Sequence, residues 1–562
     1  MMKLPTGKQM AGIDNKTIQE FGFPSILLME NAGIGITNSI LHDFPEISHN
    51  PVVIFIGPGN NGGDAFVIAR QLYNKGIPNL CVFIGDEKKL MGDAKINHDL
   101  HVSLNLDEKN SHLLYINSTG KWEEYKYLLL SAEFLIDGLF GTGINGQVRG
   151  IYKEVISSIN NEFSGKVLSI DVPSGLICDD VPQHDVILNA YKTYTIGLPK
   201  LGMLDYPGKA FCGKIETIRI GFPVELLTSD EIKTCVIDEQ TICNIKPTRN
   251  PNSNKGNYGH TLVIAGSGKY PGAAHLTSLA ANKAGAGLVT LASMFTVCNS
   301  LVNKQSEIII KSFSDVLNED DITGIGKELL DPDNSLDKEQ IMDVLSNSNL
   351  EFSSDEEYIS EDNFNDIKDE LDKYNSAVIG PGIGTSKSTA GFVKKFISCF
   401  DKPVVVDADA LNIISHDLSI FKTVKAPSRF IFTPHIGEFS RLCGKNIEQI
   451  KKSKVNIALN FAKEYGVILV LKDSVSTITD GEYIYFNPTG NCGLARGGSG
   501  DVLAGIIGAM LSRGLSPINA ALFSVYLHGL VSDLIAKEKG LEGVFPTEII
   551  NNFYKGFLQI EV

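Results

Sequence analysis

Short apolar runs recur along this chain, and most stop abruptly at glycine or a charged residue. In the first half, residues 51–56 run into GPGNNGGD at 57–64. Residues 134–136 run into Asp137 and GLFGTG, and residues 167–170 into Asp171, Val172, Pro173 and Ser174, with another run at 80–84. In the second half, runs at 260–265 and 288–292 come first. Those at 377–379, 403–406, 430–432 and 467–471 then end in the turn to Gly384, in Asp407 and Asp409, in His435 and Glu438, and in Lys472. Brief, unalternated apolar runs predict strands buried on both faces, which means parallel sheets covered by helices. The fold class is therefore α/β.

Ligands of open α/β sheets gather at the carboxyl ends of the strands. In the first half that rim collects Asn61, Asp137, Asp171 and Ser174, a mixed-charge oxygen set suited to a hard cation. The turn at 57–64 is not G-x-G-x-x-G, so the usual dinucleotide fingerprint does not apply, and Asp64 could equally cap the next helix. His98, His101 and His112 lack metal-ligand spacing and read as exposed loop histidines. Near the C-terminus, ARGGSGD at 495–501 precedes another apolar run. A glycine turn feeding a helix leaves unpaired amides at the positive end of the helix dipole, an anion site suited to phosphate. Asp501, in the first turn, is placed to accept a proton from a hydroxyl that attacks phosphorus.

At 562 residues, 43% of them hydrophobic, the chain predicts two or three domains. No window approaches 18 uninterrupted apolar residues and the first twelve lack a signal core, so neither a membrane span nor a secretory leader is expected. Nine cysteines without a C-x-x-C pair predict reduced thiols in the cytoplasm. The net charge of −16 lies within residues 314–375, which hold 20 Asp or Glu against 4 Lys or Arg. The remainder balances at 46 of each, which argues against nucleic-acid binding. Residues 318–362 read as a solvated acidic insertion, so deleting them is expected to leave any activity in place.

The stretches GPGNNGGDAFVIARQL, LIDGLFGTGINGQVRG and LSIDVPSGL resemble the N-terminal epimerase domain of bifunctional NAD(P)H-hydrate repair enzymes. The stretches YPGAAHLTSLAANKAGAGLVTLA, VIGPGIGTS, VVVDADALN, TPHIGE and ARGGSGDVLAGIIGAML resemble the ribokinase-like ADP- or ATP-dependent dehydratase of the same family. The resemblance implies a Rossmann-like α/β/α sandwich over 1–225 and a ribokinase-like domain over 236–562. It also implies repair of hydrated NADH or NADPH: epimerisation of the R and S forms, then dehydration of the S form after its ring hydroxyl is phosphorylated.

By position, the resemblance implies potassium held by Asn61, Asp137 and Ser174. Hydrate contacts in the first domain are Asn60, Asn61, Gly62, Gly63, Asp64, Gly141, Thr142, Gly143, Ile144, Asn145, Gly146, Gln147 and Asp171, with Asp171 as the acid–base group. In the second domain Ala274, Gly384, His435 and Asp501 contact the hydrate, with Asp501 the base. Lys472, Asp473, Ser474, Val475, Ser476 and Gly500 hold ADP or ATP with magnesium. Ala65, Ile436 and Asp473 depart from the family's usual glycine, proline and glycine. A homo-oligomer is expected. The rival reading is a kinase of a small hydroxylated metabolite with a non-catalytic N-terminal binding domain, for which the N-terminal motifs would have no use.

Overall fold

The computed structural model describes residues 1–50, 52–104, 111–144, 146–179, 186–304, 306–313 and 358–561. It forms two compact units, Met1–Val236 with Lys451–Asn456, and Ile237–Ile450 with Ile457–Val562. In the first unit Val52–Ile56 (β1), Asn79–Ile84 (β2), Ser111–Ile116 (β3), Phe134–Gly138 (β4), Lys166–Ile170 (β5), Lys192–Ile196 (β6) and Lys214–Ile218 (β7) pair in parallel. Their order is β3-β2-β1-β4-β5-β6-β7.

Strand β1 shows why the run carries no polar alternation. Val52, Ile54 and Ile56 pack into one core with residues of helices Ser25–Asp43 (α1) and Asn60–Asn74 (α2). Val53 and Phe55 face the opposite core, with Trp122 and the apolar face of Ile151–Glu162 (α4, after α3 below). Period-two alternation feeds two cores rather than one core and solvent.

In the second unit the strands are His260–Ile264 (β8), Leu288–Ser293 (β9), Ile309–Ser312 (β10), Ser376–Ile379 (β11), Val404–Val406 (β12), Phe430–Phe432 (β13), Ile468–Leu471 (β14), Thr477–Thr479 (β15) and Ile484–Phe486 (β16). They run in the order β16-β15-β14-β13-β12-β11-β8-β9-β10. Strands β8 to β14 are parallel, and β15 and β16 fold back antiparallel. Helices Pro271–Lys283 (α5) and Ser499–Ser512 (α9) pack closely. A Cβ added at Gly505 would lie 2.3 Å from the Thr277 carbonyl oxygen. Between them in sequence lie Lys387–Cys399 (α6), Ala408–Ile414 (α7) and Ile436–Cys443 (α8).

Three expectations change. His98 and His101 are 3% and 1% exposed, on helix Gly92–Ser103 (α3) rather than in an open loop. His98 Nε2 lies 2.8 Å from the Tyr115 hydroxyl, and burial holds His101 down at about 4. Asp64 does not cap α2, because the helix already starts at Asn60. The acidic insertion expected over 318–362 lies outside the described residues up to 357, but its far end, with the residues just beyond it, is part of the core. Ile359 and Ile367 are fully buried, Phe364 nearly so, and Thr389 Oγ1 donates to the Ile359 carbonyl at 2.8 Å. These apolar residues are diluted by carboxylates, so a charge count hides them. Pro517–Lys539 (α10) is the one described helix long and apolar enough to cross a membrane. It is 78% buried within the unit over its most apolar window.

Ile359→Ala is expected to lower stability by about 2–5 kcal/mol, because truncating a buried Ile leaves a cavity. A urea midpoint unchanged from the parent would place Ile359 outside the core. A deletion reaching residue 362 should carry the same loss.

Candidate functional site

In each sheet the chain order reverses beside a central strand, and the crevice opens at the strands' carboxyl ends. In the first unit the reversal lies between β1 and β4. The residues that follow these strands line a cavity of about 880 Å³ with Met10, Asp14, Asp171 and Lys200. Asn60, Asn61, Asp64, Gly141, Thr142, Gly143 and Ile144 line it as well. Gly62 and Gly63 do not. They are packing positions, where an added Cβ would fall 1.9 Å from the Gly57 carbonyl oxygen or 2.6 Å from Met29 Sδ. Gly146 and Gln147 are exposed and off the lining, and Asn145 lies outside the described residues.

Asp171 sits at φ 62°, a left-handed conformation rare for a residue with a side chain and suggestive of a functional constraint. Its Oδ1 accepts from the Lys200 ammonium and, at 3.0 Å, from Ile196 N–H. Lys200 is fully buried and also donates to Thr195 Oγ1 at 2.9 Å and the Ile196 carbonyl at 3.0 Å. Asp137, fully buried, is held by neutral donors. Oδ1 accepts from Ser174 Oγ (2.5 Å) and Leu139 N–H (3.3 Å); Oδ2 accepts from Ser169 Oγ and Ser174 N–H (both 2.9 Å). Burial pushes its carboxyl upward despite these bonds. Asn61 Nδ2 donates to the Phe140 carbonyl at 2.9 Å, and Phe140 N–H donates to Ser174 Oγ at 2.9 Å. Asn61, Asp137 and Ser174 thus share one corner.

In the second unit the reversal lies between β8 and β11. Ala274 is buried near the start of α5, and the Gly384 N–H donates to Asp409 Oδ2 at 2.9 Å. Strand β12 delivers Asp407, nearly fully buried, and β14 delivers Lys472, whose Nζ lies 2.9 Å from Asp407 Oδ1. The start of α9 meets this pair: a Cβ at Gly500 would lie 3.2 Å from Lys472 Nζ and 3.8 Å from Asp407 Oδ2. Gly498, at φ 92°, makes the turn. Asp501 follows in the first turn of the helix, and no hydrogen bond to its side chain occurs among the described residues. Burial first, then the charges of Asp407 and Asp409 against Lys472, push it up to about 6. Lys472 is pulled down by burial but held up overall by Asp407, Glu438 and Asp501.

His435 is mostly exposed. Its Nδ1 caps α8, accepting from Gly437 N–H at 3.0 Å and Glu438 N–H at 3.3 Å. Its backbone bridges Lys472, which brings the ring to the same edge. Asp473 and Ser474 are exposed, with the Ser474 N–H on Asp473 Oδ1 at 2.8 Å; Val475 is buried and Ser476 half-buried. Sequence reasoning left out Lys200 and Asp14, which no motif marks, and the pairing of Asp407 with Lys472. The strand-end carboxylates at 407 and 409 were its available signal. Among the described residues no three His, Cys, Asp or Glu side chains form a metal-holding group.

A family model described as NAD(P)H-hydrate dehydratase matches residues 261–555, and one described as YjeF-related protein N-terminus matches residues 25–202. The bifunctional NAD(P)H-hydrate repair enzyme Nnr of Moorella thermoacetica is 32% identical over 98% of this chain and 96% of its own. The same-named protein of Thermofilum pendens is 30% identical over 98% and 95%. Among solved structures, an ADP/ATP-dependent NAD(P)H-hydrate dehydratase from Bacillus subtilis, co-crystallised with ATP and Mg²⁺, is 27% identical. It covers 58% of this chain and 98% of its own at a TM-score of 0.43.

The raised Asp501 carboxyl carries a stability consequence. The folded state binds its proton up to about pH 6, whereas the unfolded chain releases it near 4, so folding loses stability as pH rises between those values. Asp501→Asn should match the parent below pH 4 and be more stable above pH 6, by up to about 3 kcal/mol. Thermal melts of both proteins from pH 4 to 8 test this, and parallel curves would remove the strained charge.

Proposed function

The chain belongs to the family of bifunctional NAD(P)H-hydrate repair enzymes, and from that premise we propose how its two units divide the repair. The first unit interconverts the R and S forms of hydrated NADH or NADPH at their hydrated ring carbon. The second removes water from the S form at the expense of ADP or ATP, restoring the nicotinamide cofactor. The observation that carries the second assignment is Asp501 in the first turn of α9, facing the Lys472–Asp407 pair. Matches over 98% of the chain disfavour a small-metabolite kinase with a silent first domain. Product analysis with purified hydrate and either nucleotide tests the whole reading.

The opening amides of α9 and the Lys472 ammonium bind the nucleotide's transferable phosphate. Gly500 lets that phosphate approach the backbone beside Lys472. Ala274 and Gly384 line the switch point where the nicotinamide ring sits, and His435 contacts the hydrate from the same edge. Asp501, with a carboxyl poised near neutrality, takes the proton of the ring hydroxyl as it attacks phosphorus. Asp407 holds Lys472 in place. Magnesium, arriving with ADP or ATP, supplies charge neutralisation for the phosphates.

In the first unit Asp171 handles the protons at the hydrated carbon. Asn61, Asp137 and Ser174 fit a potassium ion. One buried carboxylate with only neutral donors leaves a single negative charge to be balanced, and Asn61, having donated its amide to Phe140, has no partner for Oδ1 among the described residues. The ion would supply positive charge beside the dinucleotide's phosphates. All nine cysteines are free, consistent with work in a reducing compartment such as the cytoplasm.

Asp501→Asn should lower nucleotide-dependent dehydration by roughly 100-fold or more while leaving nucleotide binding and epimerisation intact. Near-parental dehydration by this variant would remove Asp501 as the base. Epimerisation assayed at constant ionic strength should be faster in potassium than in sodium or choline chloride, and Asp137→Ala should abolish the difference. Equal rates in all three salts would exclude the ion.

A further inference from the structure

Two carboxyls and one lysine in the first unit's cavity are bonded in a way that packing does not require. Asp171 spends only one oxygen on the protein. Lys200, Ile196 N–H and, at 3.5 Å, Thr195 Oγ1 all meet Oδ1. Among the described residues Oδ2 has no hydrogen-bond partner, and Asp171 lines the cavity. Asp64 is the complement. It is only 7% exposed, it lines the same cavity from α2, and its carboxyl has no hydrogen-bond partner among the described residues. A buried carboxyl left without a partner is costly, and it is tolerated where a ligand completes it.

We propose that Asp64 and Asp171 act as an acid–base pair on the hydrated carbon, with Lys200 as the positioning residue that decides which carboxyl does which. The proposal rests on the first unit's being an epimerase. The hydrated carbon bears a hydroxyl and is bonded to the ring nitrogen. Asp64 gives its proton to that hydroxyl, the carbon–oxygen bond breaks, and water departs as the nitrogen lone pair forms a C=N bond. Water then adds to the opposite face, the π pair returns to nitrogen, and Asp171 Oδ2 takes the proton released by the new hydroxyl. The net change within the protein is one proton moved from Asp64 to Asp171, and exchange through the open cavity resets it. No oxidant or further reactant is needed.

The charges around the pair favour this direction. Burial first, then the charges of Asp171 and Asp14, raise the Asp64 carboxyl well above its ordinary range, against a smaller opposing pull from Lys200. Asp14 is itself raised by burial, Asp93 and Asp171. Lys200 meets Asp171 directly, so the one ammonium among the described lining residues is committed to Asp171 and leaves Asp64 without a direct cationic partner.

The test uses the full chain with a single purified epimer in ¹⁸O-labelled water. The parent should incorporate label into the hydroxyl of the newly formed epimer as fast as it epimerises. Asp64→Asn should lower kcat roughly 100-fold with KM nearly unchanged. Lys200→Met should lose kcat to a similar extent, and Lys200→Arg should recover part of it. Dehydration by the second unit reports whether each variant is soundly made. Epimerisation without label, or Asp64→Asn at parental kcat, overturns the pairing while leaving the epimerase reading intact. A parent chain that leaves the epimer ratio unchanged overturns the epimerase reading itself.

Discussion

Taking a carboxylate out of water is costly unless something answers its charge, and both units are arranged around that demand. The answers differ by position. Asp137 receives four hydrogen bonds from neutral donors, Asp171 a buried ammonium, and Asp407 the Lys472 ammonium. Asp64 and Asp501 receive none of these, and both are pushed toward the protonated form. In each unit one carboxyl is left unanswered, Asp64 in the first and Asp501 in the second. The paired ones beside it set its field and hold the backbone in place. A fold that satisfied every carboxylate would gain stability and lose the carboxyls held toward protonation.

Parallel sheets make such an arrangement possible. Helices on both faces bury every residue of β1, so no polar group is tolerated within the strand and all are displaced to its end. The same logic operates at β12 and β14, whose fully buried runs deliver Asp407 and Lys472 to one edge. The order of strands then determines which ends become neighbours. In the first unit the switch between β1 and β4 opens the cavity. In the second, the switch between β8 and β11 lies beside Gly384, and the edge that carries Asp407 and Lys472 lies further along.

Much of this was legible in the chain. Apolar runs, most of them ending in glycine or charge, located the strands, and the turn at 495–501 located the start of α9 with Asp501 in its first turn. What escaped had physical reasons. Lys200 follows a strand by several residues and owes its role to tertiary packing against Asp171, which no local pattern records. His98 and His101 looked like loop residues because polar neighbours mask the buried face of a short helix. Ile359 was lost among carboxylates although it is fully buried. Nor does the turn's composition announce the packing role of Gly62 and Gly63, whose missing side chains make room for Gly57 and Met29.

The contact between α5 and α9 has a mechanical side. Gly505 lets the two helices meet nearly backbone to backbone, with the Thr277 carbonyl and the Ala280 methyl where a side chain would otherwise be. One helix carries Ala274 near its start and the other carries Asp501. The spacing between the starts of the two helices is therefore gauged by main-chain atoms, not by the reach of a flexible side chain. The pair works as the fixed jaw of a calliper. A change of rotamer there cannot alter that distance, which is built into the spacing of two helix axes.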